Sequence, residues 1–179
     1  MIYNSTEMEK EALFSTAARM CAAARTAPKA KGQDCIVTLV LTKTDKYRLA
    51  DKMEEVGIRL FGEEKAAWYK RDAANVRSSQ AVVLIGIKKN YRGIMHCGLC
   101  GFSDCHTCEE SGGVCAQLLV DLGIAVSSAV SAAAQDYVDN RIMWSIGKAA
   151  AELEDIERGV CWLGIPLSIT GKNVFFDRH

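Results

Sequence analysis

The sequence predicts a layered α+β domain: a sheet with helices on both faces and a cysteine-rich loop inserted into it. Three observations carry that expectation. Long segments with apolar residues at helical spacing interleave, without strict alternation, with short continuous runs of β-branched residues. The chain has 179 residues, 49% of them hydrophobic, enough for one substantial core and too few for two, so residues 1–179 are expected to form a single domain. Five of the eight cysteines fall between Cys97 and Cys115, in a stretch with no periodicity of its own, which sets residues 96–115 apart as an insertion.

The elements follow in order. Thr6 and Glu9 have capping-box spacing, and Leu13, Ala17, Met20 and Ala24 repeat at helical intervals behind them, so a helix is expected from Glu7 to Ala24, with Pro28 beyond its end. Cys35 to Leu41 is short, continuous and β-branched, as a strand covered on both faces should be. A second helix carries the stripe Leu49, Met53, Val56 and Leu60, and Glu63 to Val76 reads as a further, less regular one. Ala81 to Ile87 is the second clear strand. After the cysteine loop, a long helix from Val114 to Ala134 shows Leu118, Leu122, Ala125, Ala129 and Ala132 on one side. Within Tyr137 to Gly147, where Ile142, Trp144 and Ile146 alternate, a short strand is expected, with Lys148 to Glu154 helical after it. Val160 to Ile165 is the last strand, ended by Pro166, and Val174, Phe175 and Phe176 make the tail too apolar to float freely.

Composition narrows the function. Basic and acidic residues balance at 22 each with no basic stripe, so the electrostatic footprint of a nucleic-acid binder is missing. The first residues contain neither a basic region nor an apolar run, and no unbroken apolar stretch approaches the roughly 20 residues of a membrane helix. A cytoplasmic protein without a membrane partner is expected. In a reducing compartment, bunched cysteines read as ligands rather than disulfides, and the isolated Cys21, Cys35 and Cys161 as small buried hydrophobes. No Ser-His-Asp, paired-carboxylate or phosphate-loop arrangement points to hydrolysis or phosphoryl transfer.

The candidate ligands are Cys97, Cys100, Cys105, Cys115 and Cys108, with glycines at Gly98, Gly101, Gly112 and Gly113 that let the backbone bend around a bound group. Soft thiolates suit iron bridged by sulfide, so a 4Fe-4S cluster is expected. The CxxC pair followed by a third cysteine resembles the 4Fe-4S domains of electron-transport complexes and corrinoid iron–sulfur proteins. The fourth ligand departs from that pattern, and Cys115 is favoured over Cys108. A tetrahedral Cys₄ zinc site is the alternative, although zinc ribbons separate their CxxC pairs by roughly 15–20 residues. His96 and His106 read as solvated loop residues.

Further segments carry a second resemblance. Cys21 to Asp34, with Arg25 and Pro28 inside it, resembles the first flavin-contacting segment of the nitroreductase family. Arg71 to Ala74 with the following strand, Asp121 to Ala125, Met143 to Gly147, and Leu163 to Pro166 look like that family's later landmarks in the same order. Together with the cysteine loop and the tail Gly171 to Arg178, they resemble the ferredoxin-domain-containing proteins. The resemblance implies a nitroreductase-like fold, a homodimer, and an FMN phosphate held by Arg25, Lys29, Lys31, Lys172 and Arg178. The departures are Lys29, where the family tends to have Ser after the Pro, and Gly32, Gln33 and Asp34, where it has amide side chains. Arg141, beside Asp139 and Asn140, is read as a structural ion pair, and Trp144 and Trp162 as core. Two functions follow: an FMN and iron–sulfur oxidoreductase serving a redox partner protein or small electron acceptor, or a metal-binding module on a flavin-free scaffold.

Overall fold

The computed structural model describes residues 1–176. Eight consecutive residues, Ala81–Lys88, form the central strand β2, and seven of them are buried, because helices cover both faces of the sheet. Strand β1 (Ile36–Leu41) pairs antiparallel with one edge of β2, β4 (Val160–Ser168) with the other, and the two-residue β3 (Asp139–Asn140) with the end of β4. The order is β1-β2-β4-β3.

The side-chain alternation of β2 divides the core in two. Ala81, Val83, Ile85 and Ile87 face α1 (Ser5–Thr26) and α5 (Ala116–Gln135), together with Met20, Leu118 and Leu122. Val82 and Leu84 face α2 (Lys43–Phe61), α3 (Ala67–Ser78) and α6 (Trp144–Ala150), together with Met53, Tyr69 and Trp162. This is the α+β sandwich that the interleaved patterns predict.

Several local expectations are corrected. The capping box of α1 is Asn4 with Glu7: the Asn4 side chain accepts from Glu7 N at 3.0 Å and Glu7 Oε2 accepts from Asn4 N at 3.2 Å. Thr6 lies inside the helix. Strand β1 is an edge strand rather than a doubly covered one, with Leu39 and Val40 exposed. The strand expected within Tyr137 to Gly147 is the two-residue β3, and Ile142, Trp144 and Ile146 lie outside it. Met143 bridges Gly164, and α6 starts at Trp144 and ends at Ala150, before the predicted Glu154. Because five of its seven residues are buried, α6 has no polar face to display a helical period.

Strand β4 also runs through Pro166, which pairs with Val82. Gly164 N–H donates to Met143 O at 3.2 Å on the β3 side, so two residues on, the nitrogen of Pro166 points to that side as well. There β3 has already ended, and no ladder bond is lost. Phe175 is buried against the α2–α3–α6 face, and its carbonyl accepts from Arg141 Nη1 at 2.9 Å, so Arg141 anchors the tail through a carbonyl and the Phe176 ring, 5.1 Å away, in place of the expected ion pair. Among the described helices, α5 alone is long and apolar enough to cross a membrane, with a mean hydropathy of 1.5. Its sequence holds no unbroken apolar run, because serines and the buried Asp121 interrupt it. Here its inward side packs against α1 and the sheet.

Candidate functional site

β2 delivers the chain into the cysteine loop, and α5 receives it back. Tyr91 Oη donates to Gly113 O at 2.9 Å, which closes the loop at its base. Arg92 and Asp121, each 1% exposed, form an ion pair beneath it, with Nε 2.9 Å from Oδ2. Nη2 lies 2.6 Å from the same oxygen, in ion-pair contact but off hydrogen-bond alignment. Asp121 Oδ1 accepts from Ala30 N at 3.1 Å. One carboxylate on α5 therefore ties the root of the cysteine loop to the short 3₁₀ turn Ala30–Gly32, the segment expected to contact a flavin.

Within the loop, a tight turn closes with Gly101 N donating to Gly98 O at 3.0 Å, and both glycines adopt positive φ; Cys97 immediately precedes this turn and Cys100 sits within it. Asp104 then caps α4 (Cys105–Glu110), its Oδ1 accepting from Thr107 N at 2.8 Å. That backbone N–H and the Thr107 hydroxyl hold the Asp104 carboxyl below the usual carboxylate range. This six-residue helix has no apolar period, and the cap Asp104 was the available sign of it. It sets Cys105 and Cys108 three residues apart on neighbouring surface.

Cys97, Cys100, Cys105 and Cys115 line one concavity, together with Ile94, Leu99 and Phe102. Cys108 is fully buried behind it. A Cβ on Gly113 would stand 2.8 Å from the Cys108 Sγ, so only a glycine fits there. Burial, aided by a hydrogen bond to Cys100 and by the nearby Cys115 and Cys105, pushes the Cys108 thiol up. The loop thus brings all five predicted cysteines together. Among the described residues, no three His, Cys, Asp or Glu side chains converge closely enough to hold a single ion. His96 and His106 are exposed, and His106 Nε2 pairs with Glu110 at 3.2 Å.

The isolated cysteines differ from expectation: Cys161 is exposed, and Cys21 and Cys35 are half-buried. Cys35 lies at the root of the loop, its sulfur accepting from Asn90 Nδ2 at 3.4 Å and Arg92 Nη1 at 3.6 Å. Neither Asn90 nor Arg92 was singled out from the sequence, because partners far apart in the chain leave no local pattern. Trp162 is buried as expected, but Trp144 is half exposed and stacks on Trp68 at 6.4 Å.

The expected phosphate-binding cations do not share one place. Arg25 Nη1 is held by Asp34 at 2.5 Å and by Ile36 O at 2.6 Å. Lys29 donates to the carbonyls of Arg25 and Ala27 and lies 3.8 Å from Asp34. Partial burial pushes the Asp34 carboxyl up, and the Arg25 hydrogen bond, the Ile36 N–H and the charges of Arg25 and Lys29 outweigh it, holding it low. Lys31 Nζ reaches Gly93 O at 3.4 Å. Lys172 lies at the other end of the sheet: Arg25 binds Ile36, level with Cys161 of β4 through Ile87, whereas Lys172 follows the Ser168 end, and its neighbour Asn173 binds Asp139 there. Arg178 lies outside the described residues.

The fold is shared with flavoproteins. A BluB-like flavoprotein from Clostridium difficile 630 superposes with a TM-score of 0.60 at 15% identity, over 89% of this chain and 81% of that one. A nitroreductase with bound FMN from Bacteroides fragilis gives 0.60 at 9% identity, over 88% and 77%. A nitroreductase with bound FMN from Desulfitobacterium hafniense gives 0.56 at 17% identity, over 96% and 81%. At such identities the likeness establishes the architecture. Sequence reaches further: a protein of Archaeoglobus fulgidus, described as uncharacterized, is 38% identical over 99% of this chain and 98% of its own length. Residues 111–178, which start just before Cys115, match a family model. With the relative spanning the whole chain and the model spanning its C-terminal part, the chain belongs to the family of uncharacterized proteins containing a ferredoxin domain (DUF2148).

Proposed function

We propose that the protein is an iron–sulfur redox protein in which Cys97, Cys100, Cys105 and Cys115 hold a 4Fe-4S cluster and Cys108 stands behind them as a spare thiol. The observation that carries this reading is that these four thiols line one concavity while Cys108 does not. A single zinc draws four sulfurs to about 2.3 Å from itself, hence to edges of about 3.8 Å. Thiols that line a wall without converging suit a cuboidal cluster seated among them better than one ion. When bound, such a cluster supplies one-electron transfer. The chain supplies the thiolates, the Gly98 turn that aims two of them, and the apolar Leu99 and Phe102 beside them. The electron partner is a redox protein or a small acceptor.

FMN in the fold relatives supports a flavin here as well, but among the described residues Arg25, Lys29 and Lys172 do not form one phosphate cradle within a protomer. Arg25 and Lys29 are turned onto Asp34 and backbone carbonyls, and Lys172 is at the far end of the sheet. This favours the second reading, a flavin-free scaffold acting as an electron carrier, unless a partner subunit completes the cradle. An absorbance spectrum of protein purified without oxygen tests both. A broad brown absorbance bleached by dithionite, lost in Cys97→Ala and Cys115→Ala and retained in Cys108→Ala, is the expected result. A brown Cys115→Ala protein beside a colourless Cys108→Ala protein would reverse the ligand assignment. A stoichiometric zinc content in colourless protein that resists reconstitution with iron and sulfide would replace the cluster. A two-banded yellow component would establish the flavin.

A further inference from the structure

A cavity of about 470 Å³ opens between the first half of α1, the turn from β1 into α2, and the turn from α3 into β2. It lies at the opposite end of β2 from the cysteine loop, about 25 Å away along eight strand residues. Its size falls within the roughly 300–1,000 Å³ of small-molecule sites. Leu13, Phe14 and Tyr47 give it an apolar side, and Lys10, Lys43 and Lys46 a cationic one, with no aspartate or glutamate in the lining.

Lys46 is the informative residue. It is 5% exposed, and its ammonium donates to Arg77 O at 2.8 Å and to Ser79 O, so two of its three protons are bound by neutral carbonyls. Among the described residues, no carboxylate lies within ion-pair distance of Lys46, Lys43 or Lys10. The rest of α2 is different: Arg48 pairs with Asp45 and Asp155, Lys52 with Glu55, and Arg59 with Glu152. The two cations of α2 with no carboxylate partner are the two that line the cavity, the Lys46 ammonium lying also over the Tyr47 ring, 4.7 Å from its centroid. A buried charge without a counter-ion is costly, and an anion entering here would relieve that cost.

We propose that this cavity binds a small amphiphilic carboxylate, its apolar body against Leu13, Phe14 and Tyr47 and its charge toward Lys43 and Lys46. The site is separate from the cysteine loop and stands whether or not that loop carries a cluster. Calorimetric titration of the full chain with 4-phenylbutyrate tests it, with 4-phenylbutyramide as the neutral match. Saturable binding of the carboxylate is expected, with the amide weaker by at least about tenfold. The surface pair Lys10→Ala and Lys43→Ala should weaken the carboxylate by about fivefold or more without changing the thermal midpoint, and Lys46→Met should abolish binding. If Lys46→Met does not fold, the surface pair decides. Equal binding of acid and amide, indifference to the lysine changes, or binding only on dilution from an oligomer would overturn the proposal. The last outcome would make the cavity a subunit contact.

Discussion

Arg92 and Asp121 illustrate what single residues do here. Both are removed from water, and the carboxylate also holds Ala30, so three segments meet on it. Replacing Asp121 with Asn leaves a buried guanidinium uncompensated and should cost about 3–5 kcal/mol of stability. Urea unfolding of the apoprotein measures it directly. An unchanged midpoint would mean that water replaces the carboxylate at no cost. The ion pair between Asp34 and Arg25 behaves differently, because Asp34 is partly exposed. Its carboxyl is held below the usual value, so its contribution is present in full above the unfolded pKa of about 4 and is lost as pH falls below that. Asp34→Asn should lower the thermal midpoint at pH 7, and the gap to the wild type should narrow as pH falls below about 4, closing once the depressed Asp34 carboxyl is itself protonated. The cysteines were legible because five of one reactive type crowd into one stretch. Arg92 was not, because its meaning depends on a partner 29 positions away.

Elements were legible where one face is buried and the other wet. The stripes of α1, α2 and α5 repeat at helical spacing for that reason, and β2 betrays itself by an unbroken apolar run between two covered faces. Elements buried all round, or too short for a period, were misread: α6, β3 and α4. The start of α1 was displaced by two residues because Asn4 with Glu7 and Thr6 with Glu9 satisfy the same spacing rule. Asn4→Ala should therefore cost about 1 kcal/mol and Thr6→Ala much less, measured by chemical unfolding. The contact between α6 and β4 is set by glycine. A Cβ on Gly147 would stand 1.8 Å from Trp162 O, which belongs to backbone and cannot yield without moving the strand. Gly147→Ala should thus destabilise by about 3 kcal/mol or more, although alanine is the better helix former by propensity.

At the scale of the molecule, both sheet faces are closed by helices, yet α5 turns a second uncharged surface outward. Leu119, Val120, Gly123, Ile124 and Ser127 are exposed along it, with no charged side chain among them. A soluble monomer seldom leaves such a stripe uncovered on a long helix. A homodimer packed through α5 would cover it, and light scattering should then give twice the 19.5 kDa chain mass. Ile124→Glu should give the monomer with its circular dichroism intact, because Ile124 is absent from both buried clusters. The same variant tests the flavin. Within one protomer, Arg25 and Lys172 lie at opposite ends of the sheet, so a shared phosphate site needs the second subunit to bring the C-terminal segment alongside Arg25, Lys29 and Lys31. Saturable FMN binding to the dimer that disappears in monomeric Ile124→Glu would place the flavin between subunits. Equal FMN binding by dimer and monomer would put the phosphate on cations of one protomer. No binding by either, in protein that retains its brown cluster, would leave an electron carrier built on a flavoprotein architecture.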